Sequence, residues 1–75
     1  MTAETHPELA SVETLRPAVA DGVTVPAGSR GAIVHVYADG GPYIVEFVRD
    51  DGRTWAIADY PHNAVRVYWR PRITQ

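Results

Sequence analysis

Apolar and polar residues alternate with a period of two over several short stretches of this chain, and clusters of glycine, proline and aspartate separate the stretches. Residues 32–37 and 43–48 are richest in valine, isoleucine and aromatic side chains, and Asp39-Gly40-Gly41-Pro42 lies between them, which predicts a β-hairpin. The turn Arg49-Asp50-Asp51-Gly52-Arg53 carries an Asp-Gly pair suited to a tight connection and leads into a third strand over residues 54–58. Residues 59–64 hold Pro61 and are too short for another strand, so they fit a 3₁₀ turn before a last strand at 65–69, which Pro71 ends. Residues 15–19 form a first strand that Pro17 confines to an edge. Asp21-Gly22 ends it, and residues 23–31 follow as a long loop in which Gly28 and Gly31 are free to take positive φ.

The first thirteen residues are polar, contain Pro7 and keep no period. They read as a flexible tail or one brief helical turn, for which Thr5-His6-Pro7-Glu8 has the form of a capping box. Such a tail is ordered only if Leu9 and Val12 find a groove to fill. The expectation is therefore an all-β fold: a small five-stranded SH3-like barrel over residues 14–70, with tails at 1–13 and 71–75. Period two places Val34, Val36, Tyr43, Val45, Phe47, Val65 and Val67 inside, and His35, Glu46 and Arg66 outside, with His35 near Glu46. On the third strand Trp55 and Ile57 share one face while Thr54, Ala56 and Ala58 share the other, which leaves Trp55 open between core and interface.

A chain of 75 residues has room for one core, since it hides only roughly 60% of the surface its unfolded form would expose. The absence of cysteine removes disulfides and thiolate metal sites, so apolar packing must suffice and a reducing cytoplasm is the expected location. Runs such as Ala32-Ile33-Val34 are far below the roughly 20 residues of a membrane helix, so no membrane role is expected. Met1 to Glu8 lack the apolar stretch of a secretory signal. The net charge of −2 does not describe a general polyanion binder. Its distribution is more telling: Glu4, Glu8 and Glu13 make the start acidic, while Arg66, Arg70 and Arg72 make the end basic. All seven basic residues are arginine, a bias that codon usage in a GC-rich genome explains as well as guanidinium chemistry does.

Candidate chemistry is sparse. His6, His35 and His62 are far apart and none has a neighbour at zinc-ligand spacing, so neither a metal nor another cofactor is expected. Asp50, Asp51, Asp59, Ser11 and Ser29 stand in no nucleophile elbow or phosphate-binding glycine loop, so no catalytic residue is assigned and the chain is expected not to be an enzyme. The one surface feature with a chemical signature is the group Arg66, Tyr68, Trp69, Arg70 and Arg72, with Trp55 as a further partner-binding candidate. Tryptophan, tyrosine and arginine are the usual anchors of protein interfaces, and the same types stack on bases and contact phosphates. Alternatively Tyr68 or Trp69 closes the barrel and the arginines only solvate its end.

The segment Gly28-Ser29-Arg30-Gly31-Ala32-Ile33-Val34-His35-Val36-Tyr37, followed by Tyr43-Ile44-Val45-Glu46-Phe47-Val48 and Asp51-Gly52-Arg53-Thr54, resembles a family of short bacterial proteins. They are catalogued as a domain of unknown function, number 4926. The likeness runs over roughly residues 15–68. It implies a small SH3-like barrel and an antitoxin or immunity role beside a partner protein, and it carries no catalytic residues with it. The stretch Gly28 to Val34 is also similar to the short KOW-type turn of ribosomal and transcription-factor barrels. The functional expectation is a non-enzymatic module whose partner is another protein, such as a toxin encoded nearby. The alternative is a nucleic-acid-binding barrel using the C-terminal arginine-aromatic face, against which the acidic tail and the net charge argue.

Overall fold

Where alternation persists over three to seven residues, the chain forms antiparallel ladders. The computed structural model describes residues 9–37 and 39–70. Its strands are β1 (Ser11–Thr14), β2 (Ala18–Ala20), β3 (Val23–Val25), β4 (Arg30–Val36), β5 (Tyr43–Val48), β6 (Thr54–Tyr60) and β7 (Val65–Trp69), with one 3₁₀ turn at His62–Ala64. The described residues are all-β. Five strands make one sheet in the order β6-β5-β4-β1-β7, and β2 and β3 make a separate two-stranded sheet. The hydrogen-bonded order is open, with β6 and β7 as its edges.

The β4-β5-β6 meander and the 3₁₀ turn before β7 follow the expected plan. The β5–β6 turn is closed by Arg49 N–H donating to Arg53 O (2.7 Å) and Gly52 N–H donating to Arg49 O (2.9 Å), with Gly52 at φ 89°. Such a φ suits glycine because a Cβ would crowd the backbone there. β6 runs two residues beyond the expected end at Ala58, so Tyr60, assigned to the turn from sequence, is a core side chain.

Three expectations change at the N-terminal half. Of the first strand expected at 15–19 only Ala18 and Val19 are in a strand, β2, while Leu15, Arg16 and Pro17 connect it to β1. The long loop expected at 23–31 contains β3, which pairs with β2 through Asp21 (φ 51°) and Gly22 (φ 77°). Two central residues at positive φ make the twisted two-residue turn for which Asp-Gly is a common pair. Finally, β1 begins inside the segment expected as a tail over 1–13. It is an interior strand of the sheet, pairing antiparallel with β4 and β7, and Val12 is fully buried. Residues 1–8, with the capping-box motif, and 71–75, with Arg72, lie outside the described residues. The folded part, expected to begin at residue 14, therefore reaches at least to Ala10, which is also fully buried.

β1 escaped notice because its second inward position is polar. Thr14 is 1% exposed. Its hydroxyl donates to Pro26 O (3.0 Å) and accepts from Ser29 N–H (3.0 Å), so a buried oxygen is satisfied twice and ties β1 to the segment before β4. The threonine backbone closes the same latch, its N–H donating to Ser29 O and its carbonyl accepting from Gly28 N–H, both at 2.8 Å.

The core is the inner face of the main sheet, covered by Val25 of β3 and by Ala18 and Ala20 of β2. Its rows follow the register: Ile33 opposite Val45 opposite Ala58, and Val36 opposite Tyr43 opposite Tyr60. The expected interior residues Val45, Phe47 and Val65 are buried, and Val36, Tyr43 and Val67 are half-buried against them. Val34 is the exception, because the register shifts between Ile33 and His35. That bulge inserts one residue and reverses the phase, so Ile33 is fully buried and Val34 only half-buried. At Gly31 the inner face has no space: a Cβ would stand 2.7 Å from Glu46 O, 2.8 Å from Val45 Cγ1 and 2.9 Å from Phe47 Cδ1.

Candidate functional site

The outer face of β7, β1 and β4 gathers most of the described arginine-aromatic residues. Register sets Arg30 opposite Glu13 and Glu13 opposite Arg66, so one carboxylate stands between two guanidinium residues across three strands. Arg66 Nη2 donates to Glu13 Oε1 at 2.5 Å. The Arg30 guanidinium lies 5.0 Å from the centroid of the Tyr68 ring, a cation–π distance. Tyr68 is 43% and Trp69 55% exposed, and Arg70 is exposed beside them.

A second irregularity puts both rings outside. The register of β1 against β7 shifts between Ser11 and Val12, pairing Val12 with Val67 but Ser11 with Trp69. Tyr68 is thus the extra residue, and Trp69, which strict alternation from Val65 and Val67 would send inward, faces outward. It ends a row that runs Trp69, Ser11, Ala32, Glu46 and Ile57 across all five strands. The reading in which Trp69 closes the core is therefore excluded by its exposure.

Trp55 does not join this group. It sits on β6, at the opposite edge of the sheet, half-buried and packed on the core, with its ring 5.5 Å from that of Phe47 at a tilt of 44°. The shift of register between Phe47 and Val48 places it there instead of beside Ile57, which is 51% exposed. The candidates from sequence thus separate: Arg66, Tyr68, Trp69 and Arg70 come together, and Trp55 belongs to the core's margin. Arg30 and Glu13 were missed, since only the β1–β4 and β1–β7 ladders bring residues so distant in sequence to one row.

The two described histidines, His35 and His62, serve local structure. His35 is exposed and meets Tyr37 edge-on at 4.9 Å. It stands opposite Ile44, and Glu46 instead accepts from the Thr54 hydroxyl, so the expected proximity of His35 to Glu46 gives way to the bulge register. His62 stacks on Tyr43 with centroids 4.1 Å apart and bonds through Nε2 to Gly41 O at 2.7 Å. Among the described residues no three metal-ligand side chains cluster. No helix among them is long and apolar enough to cross a membrane.

No curated protein and no solved structure matches the chain. A family model does match, over residues 8–67, and this span includes β1 and the hairpin of β2 and β3 as well as the meander recognised from sequence. The chain belongs to the family described as Domain of unknown function (DUF4926).

Proposed function

We propose that this chain is a non-catalytic protein-binding module built as an SH3-like barrel, acting as the antitoxin or immunity member of a toxin pair. The order β6-β5-β4-β1-β7, the hairpin excursion between β1 and β4 and the 3₁₀ turn before the last strand support the barrel reading. The observation that carries the binding role is the exposure of Trp69 and Tyr68 on a face edged by Arg30, Arg66 and Arg70. A tryptophan that small domains ordinarily bury is here held outside by a bulge, and Trp, Tyr and Arg are the side chains on which interfaces most depend.

The test is capture of the partner from the native host, followed by reconstitution from the two purified proteins. The expected result is a defined complex that Trp69→Ala weakens by about thirtyfold, the effect of losing roughly 2 kcal/mol at an interface anchor. The reading fails if no partner is captured, or if a reconstituted complex is indifferent to Trp69→Ala. A single-stranded RNA titration addresses the competing use of the same face. Glu13, between Arg30 and Arg66, offsets their charge, so a flat curve at low salt is expected; tight binding that weakens steeply with salt would replace the protein-binding reading.

A further inference from the structure

Two clefts adjoin at the corner where β6 passes into the 3₁₀ turn. The larger, of about 460 Å³, is lined by Gly40, Gly41 and Pro42 of the β4–β5 loop and by Asp59, Pro61 and His62. The smaller, of about 220 Å³, shares Asp59 and Pro61 and extends past Tyr60 and Ala64 to Arg16 and Pro17, between β1 and β2, and to Ala18 at the start of β2. Both outer walls are pinned to the 3₁₀ turn. On one side His62 Nε2 carries the proton of a 2.7 Å bond to Gly41 O, with its ring stacked on Tyr43. On the other, Arg16 Nη2 donates to Asn63 Oδ1 at 2.9 Å, and Leu15 N–H donates to Ala64 O at 2.8 Å. Walls fixed before binding lose little conformational entropy on taking a ligand.

Besides His62, Arg16 and Tyr60, the lining is proline, glycine and alanine around one carboxylate. Three prolines and two glycines present ring faces and bare backbone, and proline has no N–H to donate. Where the clefts meet stands the exposed carboxylate of Asp59. Among the described residues the ion pairs are Arg53 with Asp51 and Arg66 with Glu13, so Asp59 has none. The one guanidinium lining either cleft, that of Arg16, is held by Asn63. No lysine or arginine lines the larger cleft, where the His62 ring is engaged with Gly41 O, and the neighbouring loop residue Asp39 is exposed and acidic. Clefts of about 460 and 220 Å³ side by side are of suitable size for successive side chains of an extended backbone.

We propose that this groove docks one extended segment of a partner protein, with apolar side chains against the prolines and a lysine or arginine on Asp59. It is a surface separate from the β7 face and goes beyond binding there. The test is selection of random seven-residue displayed peptides on the full chain, followed by NMR mapping of the best peptide. Enriched peptides are expected to carry a basic residue flanked by apolar ones and to shift the amides of Gly40, Gly41, Asp59 and His62. Asp59→Asn, with its folded spectrum retained, is expected to weaken binding by about fivefold. Replacing the peptide's base with glutamine should give the same loss without altering the protein, and Trp69→Ala should leave affinity unchanged. The proposal is overturned if no peptide is enriched, if enriched peptides lack a base, if the shifts fall on Tyr68 and Trp69, or if removing either charge changes nothing.

Discussion

Trp55 and Trp69 occupy the two edge strands of one sheet, yet Trp55 leans on Phe47 at the margin of the core and Trp69 is more than half exposed. Each lies beside a shift of register, between Phe47 and Val48 for Trp55 and between Ser11 and Val12 for Trp69. A bulge moves every following side chain to the other face, so identical residues in similar strands meet opposite environments. Residue type therefore says little about which tryptophan packs on the core and which is left exposed. The phase of the strand relative to its neighbours decides it, and that phase is maintained from the middle of the sheet.

The largest effect should come from disturbing that middle. Gly31→Val places a side chain against Glu46 O, Val45 and Phe47, and overpacking of this kind is expected to cost about 3 kcal/mol. Chemical denaturation should show the loss, and both edges should be affected, with partner binding falling alongside stability. If Gly31→Val were tolerated, the view that one rigid interior sets both edges would be wrong.

The edges themselves are separated by the next pair. Trp55→Ala is expected to cost about 2 kcal/mol of stability, less than a fully buried tryptophan because the ring is half-exposed, with binding by the remaining folded protein unchanged. Trp69→Ala should leave stability within about 0.5 kcal/mol of the parent, since its ring lies outside the core, and should act on binding alone. Denaturation and titration of both variants form a two-by-two comparison, and equal stability losses would erase the contrast.

A smaller effect marks the inner side of the β6 edge. Tyr60 is 2% exposed, its hydroxyl has no hydrogen-bond partner among the described residues, and burial raises its pKa above the ordinary 10.0. The unfolded tyrosine ionises near pH 10 while the folded one keeps its proton. Its contribution is therefore intact below that pH and is lost as pH rises through the higher folded value. Stability measured across the alkaline range should fall, and Tyr60→Phe should flatten that part of the fall while changing neutral stability by less than about 1 kcal/mol. A large loss at neutral pH would mean that the hydroxyl has a partner.

The smallest effect concerns the β7 edge. Glu13 and Arg66 form a partly exposed ion pair, for which a double-mutant cycle should give about 0.5 kcal/mol of coupling that shrinks as salt is added. Coupling well above 1 kcal/mol would make this face a structural brace and weaken its assignment to binding.

Much of the β4-β5-β6 meander was legible because its strands are long, its alternation clean and its turns marked by Asp-Gly and Gly-Gly-Pro. β1 was not, because four residues with a polar Thr14 facing inward carry too little periodic signal, and the latch to Pro26 and Ser29 that makes that threonine suitable is non-local. The Asp21-Gly22 hairpin was readable in principle: the pair is a strong turn signal, but the three-residue strands on either side are short. For the candidate face, Tyr68, Trp69, Arg66 and Arg70 stood out by type and proximity in sequence, whereas Arg30 and Glu13 could not be joined to them without the β1 ladders.

Local order along the chain determined an all-β domain with one core, the central meander and the last strand, because period-two patterning and turn chemistry act over a few residues. Tertiary structure alone decided that residues 11–14 form an interior strand, that Ile33 is buried in place of Val34, and that Trp55 and Trp69 take different environments. It also decided that Arg16 and the β4–β5 loop line two clefts that adjoin at Asp59 and Pro61. Bulges and long-range ladders set these outcomes. Each depends on how strands distant in sequence align, and a one-residue shift in that alignment reverses which face a side chain occupies.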